Sequence, residues 1–399
     1  MEQLAIFGGK PVREEPIYYG RQCIEDDDVA AVAEVLKSDL ITCGPQVEAL
    51  EELLCEVTGA KYAVVVCNGT AALHLAALAA GFQEGDEVIV SSITFAASSN
   101  CVLYCGAKPV FADIDPETYN IDPVSVRSLI TPRTRGIVAV DFTGQSVQHD
   151  ELRAICKEHN LTLIEDAAHA IGTKYKGQPI GSIADMTCFS FHPVKTVTGG
   201  EGGAITTNDE NLYRRLTRVR THGITRMQSE MVHPTDALWY NEQVELGYNY
   251  RMTDFQAALV ISQLRKLPKF AARRREIVEK YDTAFSSMPE IIVQKEIAES
   301  DTTRHLYILR LNLEKLTCDR RQFFDALYAE RTCPQVHYLP VYWHSYYEKL
   351  GYRKGICPNA EKYYNEVMSI PLYYSLTDED VEDVICAVKK VAAYYRKGE

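Results

Sequence analysis

The stretch Tyr62-Ala-Val-Val-Val-Cys67-Asn68-Gly-Thr70-Ala-Ala-Leu-His-Leu-Ala-Ala-Leu-Ala-Ala80 joins a short apolar run to a long alanine-rich run. The first part, Tyr62–Cys67, predicts a buried strand, and the second, Thr70–Ala80, predicts a helix. Asn68 and Thr70 at the junction are residue types that cap helix N-termini, because their side chains accept hydrogen bonds from free backbone N–H groups. The stretch therefore predicts one strand–helix unit of an α/β protein.

The same unit recurs up to about residue 204. Further strands are predicted at Glu87–Ser91, Pro109–Ile114, Gly136–Val140, Leu161–Glu165 and Met186–Phe191. Helices are predicted between them at Ala96–Cys105, Pro123–Ile130 and Gln148–His159. The strand sequences are almost continuously apolar, which is typical of strands that are buried on both faces of a parallel sheet. The pattern predicts a mainly parallel sheet wrapped by helices.

The flanking regions predict helices on one side and a second, smaller unit on the other. Helices are predicted at Glu25–Lys37, Gln46–Val57 and Glu210–Arg220, and a long helical region runs from Thr253 to about Ala284 with an interruption at Pro268. Beyond it lie predicted strands at His305–Leu311 and Gln335–Tyr338 and helices at Arg320–Ala329, Asn359–Met368 and Asp378–Tyr395. We therefore predict a large domain with the N-terminal segment over residues 1–255. Residues 256–399 are predicted to form a long linking helix and a small α+β domain.

Composition excludes several classes of protein. The chain has 399 residues and a formal net charge of −13, which argues against general binding to nucleic acid or to an anionic membrane. Its N-terminus has no apolar segment of signal-peptide length, and no apolar run is long enough to span a bilayer, so a cytoplasmic protein is expected. The twelve cysteines form no CxxC pair, so we expect reduced thiols and no metal site.

A lysine follows the last predicted strand, in Ser190-Phe-His-Pro-Val-Lys195-Thr-Val-Thr-Gly-Gly-Glu-Gly-Gly203. A lysine in a desolvated pocket loses its charge readily and becomes an amine nucleophile, as Schiff-base chemistry requires. A solvated lysine in a flexible loop is the alternative. It is disfavoured by a second strand that ends on carboxylates, Glu165 and Asp166, where buried charge needs a partner. An aspartate and a lysine at strand ends are the pair that a pyridoxal phosphate site uses.

Two other strand ends carry suitable residues. Free amides at the helix start after Asn68 favour a phosphate group, although an ordinary capped turn explains them equally well. Phe95 follows the Glu87–Ser91 strand and could lie on a planar ring, or it could be a core residue. Ligands of doubly wound sheets gather at the carboxyl ends of the strands, so these residues, Asp166 and Ser190 are expected to converge. The chain has no P-loop and no GxGxxG motif, which disfavours a nucleotide-hydrolysing or Rossmann dinucleotide site.

Six motifs together resemble a known family. They are Asn68-Gly-Thr-Ala-Ala-Leu, Thr94-Phe95, Glu165-Asp-Ala-Ala-His169, Ser190-Phe-His-Pro-Val-Lys195, Glu201-Gly-Gly203 and Gly247-Tyr-Asn249-Tyr-Arg-Met-Thr-Asp254. From about Tyr19 to the last helix, the chain resembles the DegT/DnrJ/EryC1/StrS sugar aminotransferases, which are pyridoxal phosphate enzymes of fold type I. Within this family, the chain is most similar to the members that aminate C4 of a UDP-linked 4-keto-6-deoxy-N-acetylhexosamine on the route to pseudaminic acid. This narrower resemblance rests on three stretches: Phe191-His-Pro-Val-Lys195, Thr221-His-Gly-Ile-Thr-Arg226 and Gln335-Val-His-Tyr338.

The resemblance implies a seven-stranded sheet and a role for each cofactor residue. Lys195 would be the catalytic residue that forms the Schiff base with the cofactor and carries the proton. Asp166 would hold the pyridine nitrogen, Phe95 would stack on the ring, and His169 would lie against the ring or its phenolic oxygen. The phosphate would be bound by Asn68, Gly69, Thr70 and Ser190. Asn249 would reach the cofactor phosphate of a neighbouring subunit, which implies a homodimer.

The substrate side is less specific. Glutamate is the expected amino donor, with 2-oxoglutarate as its product, and a nucleotide sugar is the expected acceptor. The candidate substrate-binding residues are Tyr19, Thr42, His192, Arg226, Arg251, His337 and Tyr338. An aminotransferase of the same family that acts on another keto sugar, GDP- or dTDP-linked and at C3 or C4, remains the alternative. A pyridoxal phosphate-binding regulator without turnover and a nicotinamide-dependent sugar enzyme are disfavoured, because the chain shows neither an added DNA-binding domain nor the glycine fingerprint.

Overall fold

The structure is a computed structural model that describes residues 2–398. Its α-helices are α1 (Asp26–Leu36), α2 (Pro45–Thr58), α3 (Gly69–Ala79), α4 (Ala97–Tyr104), α5 (Pro123–Ser128), α6 (His149–His159), α7 (Glu210–Arg220), α8 (Asp254–Arg265), α9 (Leu267–Phe285), α10 (Arg320–Ala329), α11 (Ser345–Lys349), α12 (Pro358–Glu366) and α13 (Asp378–Tyr395). Its strands are β1 (Ile17–Tyr18), β2 (Tyr62–Val66), β3 (Glu87–Ser91), β4 (Lys108–Ala112), β5 (Thr134–Val140), β6 (Thr162–Asp166), β7 (Lys174–Tyr175), β8 (Gln178–Pro179), β9 (Met186–Ser190), β10 (Gly203–Thr207), β11 (Ile224–Thr225), β12 (Glu242–Gln243), β13 (Ile291–Ile292), β14 (Ser300–Asp301), β15 (Tyr307–Leu311), β16 (Thr332–Cys333) and β17 (Val367–Ile370).

A seven-stranded sheet forms the centre of the larger part, in the order β2-β10-β9-β6-β5-β3-β4. The neighbours β3, β4, β5, β6 and β9 pair in parallel, whereas β10 is antiparallel to both β2 and β9. Every residue of β3 is buried, as expected for a strand covered on both faces. The prediction of an α/β fold with a mainly parallel seven-stranded sheet is confirmed. The antiparallel β10 is the strand that the apolar pattern did not predict.

Helices cover both faces of this sheet. On one face, α3 is buried almost all round, because its alanines and leucines pack between the sheet and the neighbouring helices α4 and α7. On the other face lie the apolar sides of α2 and α8 near β2, and of α6 near β5 and β6. Because β2, β3, β5, β6 and β9 point in one direction, their carboxyl ends meet at a single edge of the sheet.

The C-terminal part has its own core around the small sheet β13-β15-β17. Tyr281 and Phe285 of α9 and Phe323 of α10 are fully buried there. Leu4 and Ile17 from the N-terminal segment belong to the same core, and β1 pairs with β16. The N-terminal segment therefore packs against the C-terminal part, and the boundary at residues 255/256 stays a prediction. Within residues 2–398, no helix is both long enough and apolar enough to cross a membrane.

Three predicted elements differ from the structure. The helix predicted over Asn359–Met368 ends at Glu366, because Val367–Ile370 pairs with β15 as strand β17. Gln335–Tyr338 forms no regular strand and makes a single bridge, between Gln335 and Ser369. The long helical region divides into α8 and α9 at Lys266 rather than at Pro268. Pro268 lies in the first turn of α9, where no backbone N–H is needed.

Candidate active site

A cavity of about 450 Å³ lies where the carboxyl ends of β2, β3, β6 and β9 meet. Twelve of the residues predicted from the sequence line it: Tyr19, Asn68, Gly69, Thr70, Phe95, Asp166, His169, Ser190, His192, Lys195, His337 and Tyr338. This volume is within the usual range for a small-molecule site. A wider concavity of about 650 Å³ beside α9 and α13 is more open and is lined mainly by charged side chains that pair with one another.

One end of the cavity is suited to a phosphate group. Asn68 caps α3 by accepting a hydrogen bond from the backbone N–H of Ala71 at 2.8 Å, and Gly69 and Thr70 of the first turn of α3 line the cavity end. Gly69 lies so close to Ser190 that a Cβ atom there would be 2.9 Å from the Ser190 Cβ. The absence of a side chain at Gly69 lets the helix start and the Ser190 hydroxyl approach the same point.

Asp166 lies at the end of β6 and is 5% exposed. Its Oδ2 accepts a hydrogen bond from Ser98 Oγ at 2.5 Å, and its Oδ1 accepts one from the Ala168 N–H at 3.1 Å. Burial raises the pKa of Asp166, and these hydrogen bonds and the charge of Lys195 oppose that rise. The carboxylate is thus desolvated, oriented and provided with donors, which suits a partner for a protonated ring nitrogen.

Lys195 follows β9 in a turn that is closed by its own N–H, which donates to the His192 carbonyl at 2.9 Å. Part of the side chain is open to the cavity, but its amine end is enclosed by protein atoms. This enclosure lowers the pKa of Lys195 to about 8, although the nearby charge of Asp166 acts in the opposite direction. An amine with this pKa is partly neutral near physiological pH and can act as a nucleophile or a proton carrier.

Aromatic rings form the remaining walls. Phe95 is 61% exposed, which is unusual for a phenylalanine at the end of a buried strand, and its ring borders the cavity 6.3 Å from the ring of Tyr338. His169 is buried, and the Tyr338 hydroxyl lies 3.4 Å from His169 Nε2. Burial and then the Lys195 charge lower the pKa values of His169 and His337, so both imidazoles are neutral. These walls suit flat, uncharged ring surfaces.

Four of the predicted residues do not line this cavity. Thr42 is exposed and bridges Thr253, and Arg251 lines a separate surface concavity that also contains Cys43 and Tyr62. Arg226 and Asn249 are also exposed. Among residues 2–398, Lys195 is the sole lysine and there is no arginine in the cavity lining.

The sequence reasoning missed several residues that contact the predicted ones. Ser98 bonds Asp166, Thr94 bonds Ser98 at 2.6 Å, and the buried His305 packs its ring 4.5 Å from the ring of His169. Ser98 is the second residue of α4 and comes four residues after Thr94, and this spacing was the available signal. His305 lies two residues before β15 in the C-terminal part, and nothing in its local sequence indicated proximity to the cavity.

A buried polar cluster lies next to the end of β6, where Glu165 precedes Asp166. Asp141, His149 and Glu165 offer ligand atoms within 4.8 Å of one another, which raises the question of a metal ion. The Nε2 of His149 lies 2.7 Å from Oε1 of Glu165, whereas two ligands of a tetrahedral ion at about 2.0 Å are roughly 3.3 Å apart. We therefore interpret the cluster as a close contact between two side chains, in which His149 and Thr187 hold the pKa of Glu165 below its usual value despite burial. Thr187 donates to the other Glu165 oxygen at 2.7 Å.

A sequence profile of the DegT/DnrJ/EryC1/StrS aminotransferase family matches residues 22–389. The chain belongs to this family. The resemblance of the six motifs is thereby confirmed, and the DegT/DnrJ/EryC1/StrS match extends over both the large sheet and the C-terminal part.

Individual members of the DegT/DnrJ/EryC1/StrS family are similar over nearly their whole length. The Bacillus subtilis spore coat polysaccharide biosynthesis protein SpsC is 41% identical over 375 residues, which are 94% of this chain and 96% of that protein. The Campylobacter jejuni UDP-4-amino-4,6-dideoxy-N-acetyl-beta-L-altrosamine transaminase is 37% identical over 385 residues, 96% of this chain and 99% of that one. The structure of Helicobacter pylori PseC, an aminotransferase involved in the biosynthesis of pseudoaminic acid, has a TM-score of 0.89 and 32% identity, and the match covers 96% of this chain and 100% of that chain.

Membership of the DegT/DnrJ/EryC1/StrS family makes the chain a pyridoxal phosphate-dependent sugar aminotransferase of fold type I, as predicted. The cavity fits this cofactor. It offers free amides for a phosphate, an exposed aromatic ring, a buried carboxylate and an amine of lowered pKa, in one enclosed space. The role of each residue remains a proposal, which is developed below.

Proposed function

We propose that the enzyme transfers an amino group from glutamate to C4 of a UDP-linked 4-keto-6-deoxy-N-acetylhexosamine. The observation that carries the proposal is that Lys195 and Asp166 border one cavity with Phe95 and the start of α3. The nucleotide sugar is suggested by the C. jejuni relative and by H. pylori PseC, both of which match along nearly the whole chain. The similarity to SpsC supports a second candidate, an amino transfer to another nucleotide-linked keto sugar.

In this proposal the residues divide the work by position. Asn68, Gly69, Thr70 and Ser190 hold the phosphate, and Phe95 supports one face of the ring. When bound, the cofactor stores the amino group between the two half-reactions and accepts electrons from the carbon being deprotonated. Lys195 holds the aldehyde end and moves a proton at its Nζ atom, because its pKa of about 8 lets it both accept and release a proton near neutral pH.

The aromatic walls are the proposed sugar and base contacts. Tyr19 and His337 have ring centroids 5.0 Å apart, and the Tyr338 ring is 4.8 Å from that of His337, so the three form one aromatic wall of the cavity. Phe95 adjoins this wall at Tyr338. His337 is fixed by a 2.7 Å hydrogen bond between its Nδ1 and the Ser369 hydroxyl. Rigid rings of this kind present apolar faces to a hexose or a uracil at little loss of side-chain entropy. His192, which is exposed at the cavity, is the proposed contact nearest to Lys195.

The anionic groups of the substrates need positive charge that one chain does not provide. A nucleotide diphosphate and the carboxylates of glutamate favour arginine partners, yet no arginine lines the cavity within residues 2–398. Arg226, Arg251 and Asn249 lie outside it. The segment of residues 226–251, which includes all three, also exposes Leu238, Trp239 and Leu246, whose side chains are 95%, 83% and 77% accessible. We propose that a second copy buries this region and that each copy contributes Asn249 and arginine to the other copy's cavity.

A panel of keto sugars tests the acceptor. With glutamate the visible cofactor band is expected to bleach, and a UDP-linked 4-keto-6-deoxy-N-acetylhexosamine is expected to restore it. Since a site that binds a polar group strongly disfavours analogues lacking it, kcat/KM for the dTDP- and GDP-linked 4-keto-6-deoxyhexoses, which lack the N-acetyl group, should be lower by about 100-fold or more. Stopped-flow absorbance measures both half-reactions. Faster recovery with a dTDP- or GDP-linked sugar would support the second candidate instead.

A mixing experiment tests the shared site. Lys195→Ala damages a chain's own cavity, whereas Asn249→Asp would damage the partner's cavity by placing negative charge near the phosphate. Random mixing of these two variants is expected to give about a quarter of wild-type activity, because half of the dimers then carry one intact site. Mixing Lys195→Ala with Asp166→Asn is the control, since both changes affect a chain's own cavity and no intact site can form. No recovery in the first mixture would contradict the proposed exchange of residues, and light scattering would report the dimer itself.

A further inference from the structure

Asp166 is held by a chain of hydroxyl groups that runs back from the carboxylate to the cavity wall. Ser98 Oγ is 2.5 Å from Asp166 Oδ2, and Thr94 Oγ1 is 2.6 Å from Ser98 Oγ. All three residues are buried, with exposures of 5% for Asp166, 0% for Ser98 and 3% for Thr94. Hydrogen bonds between buried groups at these distances are strong, particularly when the acceptor is charged.

The direction of the hydrogen atoms follows from elimination. An ionised Asp166 can only accept, so Ser98 must donate its single hydroxyl hydrogen to Oδ2. Its other acceptor within reach, the Phe95 carbonyl, is more distant at 3.3 Å. Once Ser98 donates to Asp166, its oxygen can only accept from Thr94. The relay therefore runs from Thr94 to Ser98 to Asp166 when the carboxylate is charged.

The helix that carries Ser98 is fixed independently from the small domain. The Tyr347 hydroxyl donates to Asn100 Oδ1 at 2.8 Å and lies 2.8 Å from Ser99 Oγ. Tyr347 is 2% exposed and comes from α11, beyond the small-domain strand β15. The first turn of α4 is thus held between Asp166 on one side and Tyr347 on the other. Ser98 and its neighbour Ser99 therefore have different partners, although they are adjacent in the sequence.

We propose that Ser98, oriented by Thr94, is a positioning residue that keeps Asp166 ionised and aimed at the cofactor's ring nitrogen. The proposal rests on the proposed role of Asp166. A desolvated carboxylate tends to take up a proton, and a protonated Asp166 would no longer provide the negative charge that keeps the ring nitrogen protonated. The Ser98 donor opposes this because it bonds the charged form. The Ala168 N–H does the same at the other oxygen.

The groups that face Asp166 all bear on its titration. They are Lys195, Glu165, Asp141, Cys101, Cys188 and Tyr338, beside the hydrogen-bond donors Ser98 and Ala168. Lys195 favours the charged carboxylate, and Glu165 opposes it. After burial, the hydrogen bond from Ser98 has the largest influence on the pKa of Asp166, and it is the shortest hydrogen bond to the carboxylate. Removing its hydroxyl should therefore change the titration of Asp166 more than removing any other neutral side chain.

The test compares Ser98→Ala with Ser99→Ala. Steady-state kinetics across pH give the pH below which kcat falls, called here the acid limit of kcat. This acid limit is expected to rise by about one unit in Ser98→Ala, because loss of the donor raises the pKa of Asp166. kcat should fall by about tenfold at neutral pH with little change in KM for the sugar. Ser99→Ala should leave the acid limit unchanged, since Ser99 bonds Tyr347. Ser98→Thr, which keeps a hydroxyl group, should restore the wild-type acid limit.

The outcomes separate this inference from the proposed function. If Asp166→Asn strongly impairs turnover but Ser98→Ala leaves the acid limit of kcat unchanged, the positioning role is wrong and the role of Asp166 stands. If neither change alters turnover, the role of Asp166 is wrong as well. Thr94→Val, which removes only the far end of the relay, is expected to give a smaller shift in the same direction. A shift in Ser99→Ala equal to that in Ser98→Ala would mean that α4 acts by packing alone.

Discussion

Replacing Lys195 by alanine is expected to abolish transamination. Within residues 2–398, the amine is the only nitrogen nucleophile in the cavity lining whose pKa, about 8, permits both covalent attachment and proton transfer near neutral pH. Loss of a positioned acid–base group alone lowers the rate by up to about 10⁴-fold, and loss of the covalent attachment adds to this. Steady-state kinetics with glutamate and the keto sugar would measure the change.

The control for Lys195→Ala is Lys174→Ala, which removes an exposed lysine of β7 and should be silent. A small primary amine added to Lys195→Ala should restore part of the rate, because it can supply the missing proton acceptor. If Lys195→Ala kept more than a few per cent of the wild-type rate without added amine, another residue would have to carry the proton.

The same variant has an expected effect on the stability of the apo-protein. Burial lowers the pKa of Lys195 from 10.5 to about 8, so the unfolded chain binds this proton more tightly than the folded chain does. The wild-type free energy of unfolding should therefore rise as the pH increases from about 8 to 10.5. Lys195→Ala should lack this increase and should be at least as stable as the wild type at neutral pH. Urea unfolding at pH 7 and pH 10 would measure the difference.

Strand ends were the part of the site that could be predicted from the sequence. Asp166 and Lys195 stand out because each places a charge next to a buried apolar strand, and such a charge needs a partner. Phe95 was ambiguous from the sequence, and its 61% exposure in the structure favours the ring-facing alternative. The parallel order of the strands then accounts for why residues from distant segments share one cavity.

Other parts could not be predicted because they depend on contacts between distant segments. Ser98 is one of two adjacent serines on α4, and only the packing of that helix against β3, β4 and β5 decides which of them reaches Asp166. The sequence gives no turn signal between α12 and β17, so the helix was predicted to continue to Met368. In the structure, the residues of β17 pair with β15 instead. Asn249 was predicted through the family resemblance and Arg226 because it flanks a motif, and both side chains are exposed outside the cavity of the chain.

Replacing Asp166 by asparagine is expected to lower kcat by about 10³-fold while weakening cofactor binding much less. The amide keeps the shape and can still accept from Ser98 and Ala168, but it carries no negative charge to hold a proton on the ring nitrogen. Removing one preorganised electrostatic partner of a charge in the reaction has an effect of about this size. Cofactor titration by absorbance and steady-state kinetics would separate the two quantities.

Stability should change in the opposite sense to activity. Burial raises the pKa of Asp166, so the folded apo-protein binds this proton more tightly than the unfolded chain, and stability falls as the pH rises through the raised pKa. Asp166→Asn removes that pH-dependent loss and should leave the apo-protein at least as stable as the wild type at neutral pH. Asp150→Asn, at an exposed site paired with Lys176, is the control and should be silent in kcat.

A cofactor analogue with a methyl group on the ring nitrogen makes the test of Asp166 specific. This analogue carries a permanent positive charge, so it does not need a carboxylate to stay charged. It should therefore restore part of the rate in Asp166→Asn and should not improve the wild type. If the analogue left Asp166→Asn as slow as the natural cofactor does, the carboxylate would be acting through geometry rather than charge, and the argument for keeping Asp166 ionised would be wrong.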